Sequence, residues 1–286
     1  MIGPGDDAAV VATPDGRVVV TTDVLVEGTH FRRDWSSGED VGHKAAVKNF
    51  ADIAAMGAVP TALVVGFAAP GQTEVDWVDG LVAGLREACG TAGAAVVGGD
   101  VVRADSIVVS ATALGDLQGR RPVTLGGAEV GNNVAVAGRL GWAAAGFTVL
   151  SRGFRSPVQI VSAHRRPDPP LEAGPSAAMA GATAMTDVSD GLVADVGNIA
   201  RSSGVGIDLN GAALGIEPKL MEVAAALNVD PMTWTLTGGD DYALVATFPG
   251  AVEPPPPWRV IGTVRAGDGV LVDGRRWPQS GHEHFR

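Results

Sequence analysis

The stretch at residues 18–31, Val-Val-Val-Thr-Thr-Asp-Val-Leu-Val-Glu-Gly-Thr-His-Phe, most narrows what this chain can fold into. Val18, Val19 and Val20 form a β-branched apolar run that reads as a buried strand. The run is expected to end on Thr21, Thr22 and Asp23, which puts two hydroxyls and a carboxylate at a strand end. Gly28 then lets the chain turn, and His30 leaves that turn. Oxygen donors at a strand end suit Mg²⁺. The same residues also suit a plain Thr/Asp turn closing a hairpin.

Repetition favours the metal reading. Asp6 and Asp7 follow Gly5, and Asp52 sits before Ile-Ala-Ala-Met-Gly. Asp100 follows Gly98 and Gly99 after an apolar run. Asp187 and Asp190 open a helix-like segment at Asp-Val-Ser-Asp-Gly. Asp240 and Asp241 follow Gly238 and Gly239, after a run that reads as a strand. A lone buried carboxylate is costly, so acids gathered at one place require a metal or a cationic partner.

Charge and composition exclude several classes. The net charge is −11 and no basic stripe of the kind nucleic acid needs is present. An acidic protein can still take nucleotides when a divalent ion supplies the positive charge. No apolar stretch approaches the roughly 20 residues of a membrane helix, and the first residues show no signal-peptide pattern. Cys89 is the only cysteine, so no internal disulfide forms, which fits a reducing, cytoplasmic location. Its expected role is a small buried apolar residue in a helix.

Along the chain, Pro14-Asp-Gly16 marks a turn, and residues 41–56 have a helical period. On that helix Lys44, Lys48 and Asp52 stand four apart on one face, which also suits a solvated, salt-bridged surface. Strands are expected at 61–67, 94–97 and 106–114, with a helix at 74–89 between them. The polar, Gly-rich segment 119–131 reads as a boundary. The second half then mixes strands at 134–137, 206–209, 242–248, 259–264 and 269–272 with helices at 141–152, 175–184, 190–202 and 218–227. The fold class is α/β (α+β), with two mixed-sheet α/β domains at 1–130 and 131–286.

Familiar motifs fail. Gly3-Pro-Gly5-Asp-Asp-Ala8 matches a dinucleotide fingerprint only formally, because no strand precedes it and two acids occupy its turn. The chain has no P-loop, no protein-kinase signature and no Gly-x-Ser-x-Gly elbow. His282 and His284 have no third ligand nearby in sequence to complete a zinc site.

Taken together, Gly5-Asp-Asp-Ala-Ala-Val, Thr21-Thr-Asp-Val-Leu-Val-Glu-Gly-Thr-His-Phe, Asp52-Ile-Ala-Ala-Met-Gly-Ala, Gly98-Gly-Asp, Asp187-Val-Ser-Asp-Gly-Leu and Gly238-Gly-Asp-Asp-Tyr closely resemble the thiamine-monophosphate kinase family. That family lies in the superfamily of aminoimidazole ribonucleotide synthetase and selenophosphate synthetase. The resemblance covers nearly the whole chain. It implies an N-terminal domain that binds ATP and metal, and a C-terminal domain of the aminoimidazole ribonucleotide synthetase-like fold. It also implies ATP-dependent phosphorylation of thiamine monophosphate to thiamine diphosphate, several Mg²⁺ ions, and a homodimer paired through the N-terminal domains.

Residue by residue, the resemblance makes Asp7, Thr21, Thr22, Asp23, Asp52, Asp100, Asp187 and Asp190 metal ligands, directly or through water. Gly99, Asp100 and Ser189 would lie on ATP. His30, Asp240 and His282 fall where the family holds its thiamine substrate. No covalent or general-base residue is implied, because phosphoryl transfer needs charge neutralisation and in-line positioning above all.

Three positions depart from the family pattern. Leu125 stands where an arginine near ATP is expected, and Arg120 or Arg121 is placed to compensate. Asp240 is one methylene shorter than the family glutamate, and His282 replaces an aromatic. The helical segment that precedes Gly-Asp-Asp in the family has no counterpart here. These departures keep open a nucleotide-binding homologue with weak or no kinase activity. Selenophosphate synthetase would need a reactive Cys near the N-terminus, and a hydrogenase-maturation homologue would end in Cys; neither is present.

Overall fold

The computed structural model describes residues 12–277. Asp7 and His282 lie outside the described residues. The chain divides into two compact units, residues 1–54 with 58–120, and residues 55–57 with 121–286.

Among the described residues, the first unit is a four-stranded sheet with two helices. Its elements are β1 (Val19–Val26), α1 (Gly38–Ala55), β2 (Val59–Ala69), α2 (Val75–Ala92), β3 (Ala95–Arg103) and β4 (Val108–Asp116). The strand order is β1-β4-β2-β3, with β2 and β3 parallel and the other pairs antiparallel. Thr21, Thr22 and Asp23 do not end a strand, as the sequence reading has it. They lie mid-strand, because β4 offers a partner to every residue from Val19 to Val26. Asp100 is also mid-strand, since β3 runs on through Gly98 and Gly99 to Arg103.

Helix α1 starts on a reciprocal cap, in which the Asp40 amide donates to Ser37 Oγ and the Ser37 amide to the Asp40 carboxylate. Helices α1 and α2 then approach closely through glycines. A Cβ on Gly42 would meet the Leu81 carbonyl at 2.1 Å, and one on Gly84 the Glu39 carbonyl at 2.0 Å. Abundant small residues thus serve helix–helix contact here, and Gly115, whose Cβ would meet Ile53 at 2.3 Å, serves helix–sheet contact.

The sheet's two faces differ. Leu25, Val109, Ala111 and Ala113 are buried. On the other face Val20 (61% exposed), Val24 (40%) and Val64 (38%) leave apolar area open beside Thr22 and Thr112.

The second unit is a seven-stranded sheet in the order β11-β10-β7-β9-β5-β8-β6. Its strands are β5 (Asn133–Ala137), β6 (Ala184–Val188), β7 (Gly206–Leu209), β8 (Ala243–Phe248), β9 (Arg259–Arg265), β10 (Val270–Val272) and β11 (Arg275–Arg276). Its helices are α3 (Trp142–Ser151), α4 (Val158–Arg165), α5 (Ala173–Met179), α6 (Leu192–Ser203), α7 (Pro218–Leu227) and α8 (Pro231–Thr237). Strand β8 is buried along its whole length, and Val136, Val188, Val196, Ile207, Val245 and Ile261 share its core.

Several elements differ from the sequence reading. The segment before Gly238 is helix α8 rather than a strand, started by the Asp230 carboxylate on the Met232 amide with Pro231 behind it. Residues 184–188 are strand β6, where the sequence reading has Ala184 ending one helix and Asp187 opening another, because β8 pairs them. Helix α4 is additional.

Candidate active site

In the first unit the alternation of β1 sends Thr21 and Asp23 to the helix side. Thr21 Oγ1 donates to Asp52 Oδ2 at 2.7 Å. Lys48 Nζ stands 3.1 Å from Asp23 Oδ1. Lys48 and Asp52 are one turn apart on α1, so the helix and the strand meet through two polar pairs. Burial pushes the Asp52 carboxyl up to about 6, and the Asp23 charge pushes the same way. The Thr21 hydroxyl and the Lys48 ammonium pull against this rise. Two crowded carboxylates with a hydroxyl form a hard oxygen set that fits Mg²⁺, with water completing its shell.

Thr22 points to the opposite face, where its hydroxyl donates to the Ala111 carbonyl at 3.0 Å and accepts from Thr112. Asp100 is exposed at the far edge of the sheet. The pairs Val24–Ser110, Ser110–Gly66 and Gly66–Asp100 put three strand spacings, roughly 14 Å, between it and the Asp23 edge. Gly99 seats β3 tightly, since a Cβ there would meet the Val65 carbonyl at 2.1 Å.

His30 closes the turn after β1. Its Nδ1 accepts the Val26 amide at 3.0 Å and its own amide donates to the Val26 carbonyl. Acceptance at Nδ1 fixes the tautomer with the proton on Nε2.

In the second unit, Asp187, Ser189, Asp190 and Asp240 gather at one end of the sheet. Asp187 is buried in β6 opposite Leu244 of β8. The Asp240 amide donates to the Ser189 carbonyl, and the Tyr242 amide to that of Val188. The two loops are pressed together: a Cβ on Gly239 would meet the Ser189 carbonyl at 2.3 Å, and one on Gly191, with φ +118°, the Thr237 carbonyl at 2.8 Å. Asp240 and Tyr242 both adopt left-handed backbone, and the Tyr242 hydroxyl donates to Asp240 Oδ1 at 2.8 Å.

Two further acids build these loops. Asp195 Oδ2 accepts the amides of Asp190 and Gly191 at 3.0 and 3.1 Å. The Asp241 carboxylate accepts the Gly141 amide and, at 2.8 Å, that of Ala143 at the start of α3. Burial pushes both carboxyls up to about 7. Among the described residues no three Asp, Glu, His or Cys side chains come close enough to hold an ion by themselves. A concavity of about 370 Å³ over β7 and β9 includes none of the expected site residues.

Residues 5–117 match the family described as AIR synthase related protein, N-terminal domain. Over 279 residues the chain is 51% identical to the thiamine-monophosphate kinase of Mycobacterium tuberculosis (strain CDC 1551 / Oshkosh), covering 97% of this chain and 83% of that protein. The chain belongs to the thiamine-monophosphate kinase family. It is 43% identical to the thiamine-monophosphate kinase of Corynebacterium glutamicum, over 94% of this chain and 84% of that one. The solved structure of AaThiL complexed with AMPPCP and TMP superposes with a TM-score of 0.88 at 33% identity, covering 94% of this chain and 87% of that chain. As a member of the thiamine-monophosphate kinase family, the protein is an enzyme of the kinase class with the mixed α/β fold of that family.

Leu125, where the sequence reading expects an arginine, is 37% exposed. Its segment runs antiparallel to β6. A Cβ on Gly127 would touch the Thr183 carbonyl at 2.1 Å, and the Met185 amide donates to the Thr124 carbonyl.

Nothing in the sequence alone marks Asp195 for a role, or Asp241 for one beyond its motif. Their one available signal was position, close behind Gly191 and Asp240. Lys48 was visible as the residue one turn before Asp52.

Proposed function

We propose that the protein transfers the γ-phosphoryl group of ATP directly, in line, to thiamine monophosphate, giving thiamine diphosphate. Family membership supports the substrate pair, and the Thr21–Asp52 and Asp23–Lys48 pairing supports an electrostatic site at the β1–α1 junction. Mg²⁺, when bound, neutralises phosphate charge and aligns the two phosphorylated ligands. Thr21, Asp23 and Asp52 hold one such ion in the first unit; Asp7, Thr22 and Asp100 serve further ions there, and Asp187 and Asp190 serve ions in the second unit, directly or through water. Asp195 fixes the backbone that carries Ser189 and Asp190. Ser189, Gly99 and Arg121 serve ATP, while His30, Asp240 and His282 serve thiamine monophosphate. No side chain abstracts a proton, because the attacking phosphate oxygen is already ionised at neutral pH.

The protein acts in the cytoplasm as a homodimer formed by its N-terminal domains. The open apolar face at Val20, Val24 and Val64 supports the homodimer, as does the position of Asp100 at the sheet edge. Among the described residues, strands β1 and β3 are the two edges of one sheet. A second copy that brings its β3 edge to β1 would add Asp100 of the partner subunit to Asp23 and Asp52.

The test is to incubate purified protein with ATP, Mg²⁺ and thiamine monophosphate and to separate the products by chromatography. Thiamine diphosphate is the expected product. Nucleotide binding with no such product would favour a homologue of weak or no kinase activity.

A further inference from the structure

We propose that Lys48 is a built-in cation that occupies Asp23 while no divalent ion is bound, so that metal entering the Asp23–Asp52 pair must displace the Lys48 ammonium. The inference rests on the reading of Asp23 and Asp52 as metal-holding residues.

Geometry carries the argument. Lys48 Nζ lies 3.1 Å from Asp23 Oδ1, with the two side chains 16% and 26% exposed. Asp52, one turn further along α1, is occupied instead by the Thr21 hydroxyl at 2.7 Å. Two carboxylates therefore crowd one place, and one ammonium serves both, by contact with Asp23 and through its charge at Asp52. An ammonium is a compact point charge with three donors and no acceptor. It can satisfy Asp23 but cannot ligate a metal. A hard cation seeks the same carboxylate oxygen, and the two cations repel at that distance.

Two effects of opposite sign follow. Lys48 stabilises the metal-free protein by relieving the repulsion between Asp23 and Asp52, and it weakens divalent binding. A surface ion pair, or a lysine that belongs to the metal complex, would not combine these effects.

The full-length protein and its Lys48→Met variant are compared without nucleotide. Thermal unfolding is followed in chelator, and Mn²⁺ is titrated by calorimetry. Lys48→Met should unfold several degrees lower without metal and bind Mn²⁺ roughly tenfold tighter, so that Mn²⁺ raises its Tm more than it raises the wild type's. Lys48→Arg keeps the charge and should stay near wild type in both readouts, and Lys48→Gln replaces Lys48→Met if the latter does not fold. Equal or weaker Mn²⁺ binding in the neutral variant, with binding intact in the wild type, overturns the role of Lys48 alone. If neither protein binds Mn²⁺, the metal reading of Asp23 and Asp52 fails, and the competition fails with it.

Discussion

Thr21 and Asp52, 31 residues apart in sequence, meet at 2.7 Å where strand β1 passes under helix α1. The contact is a positioning device, because the hydroxyl orients a carboxylate that burial and the neighbouring Asp23 hold up at about 6. Function and stability therefore oppose each other at Asp52.

Replacing Asp52 by Ala should lower kcat/KM by at least about a hundredfold, the usual cost of losing one electrostatic contact at a transition state. The metal-free protein should lose no thermal stability, since the substitution removes a crowded carboxylate. Steady-state kinetics with thermal unfolding in chelator checks both. Retained turnover would remove Asp52 from the site.

Three acids give the metal-free protein a particular pH dependence. Asp52 sits at about 6 and Asp195 and Asp241 at about 7, against 3.8 for an ordinary aspartate. Between these limits the folded protein keeps protons that the unfolded chain has already released. Stability then falls as pH rises from about 4 to about 7 and levels off above that range. In chelator, Tm at pH 5 should exceed Tm at pH 8, and Asp241→Asn should flatten the slope. An unchanged slope in that variant would contradict the assignment.

Adjacent acids should separate in effect. Asp241→Ala strips two buried amides, those of Gly141 and Ala143, of their acceptor. It should cost about 2–4 kcal/mol, read as a fall in Tm. Asp240→Asn tolerates the left-handed backbone and keeps an acceptor for the Tyr242 hydroxyl. Its Tm should hold while KM for thiamine monophosphate rises more than KM for ATP.

The segment at Thr124, which lies beside β6, offers a test of nucleotide contact. A guanidinium on phosphate is worth about 1.5–3 kcal/mol, or roughly tenfold to a hundredfold in affinity. If Arg121 supplies that contact, Arg121→Ala should weaken ATP by this factor in an Mg²⁺-containing titration, and Leu125→Arg should change little. The reverse pattern would give the contact to position 125.

The β1 segment and helix α1 were legible because a β-branched run and an apolar period of 3.6 are strong local signals. Their depth in the fold was not. A Thr-Thr-Asp sequence looks like a strand end, and only the pairing partner in β4 shows that the strand continues. Strand β6 was hidden because Ala, Met and Thr favour no period strongly, and tertiary pairing with β8 decided it. Helix α8 carried readable signals, Asp230 as cap and Pro231 at the first turn, that a short element of seven residues made easy to pass over. Asp195 and Asp241 illustrate a deeper limit. An acid that holds backbone amides and an acid that holds a metal are the same residue type, often a few positions apart, and only the hydrogen bonds separate them.

The most direct measurement follows the label from γ-labelled ATP during a single incubation with thiamine monophosphate. With Mg²⁺ the label should appear in thiamine diphosphate, and it should not appear there in chelator or with Asp52→Ala. Label released only as inorganic phosphate, or its transfer undiminished in chelator, would contradict metal-assisted transfer to thiamine monophosphate.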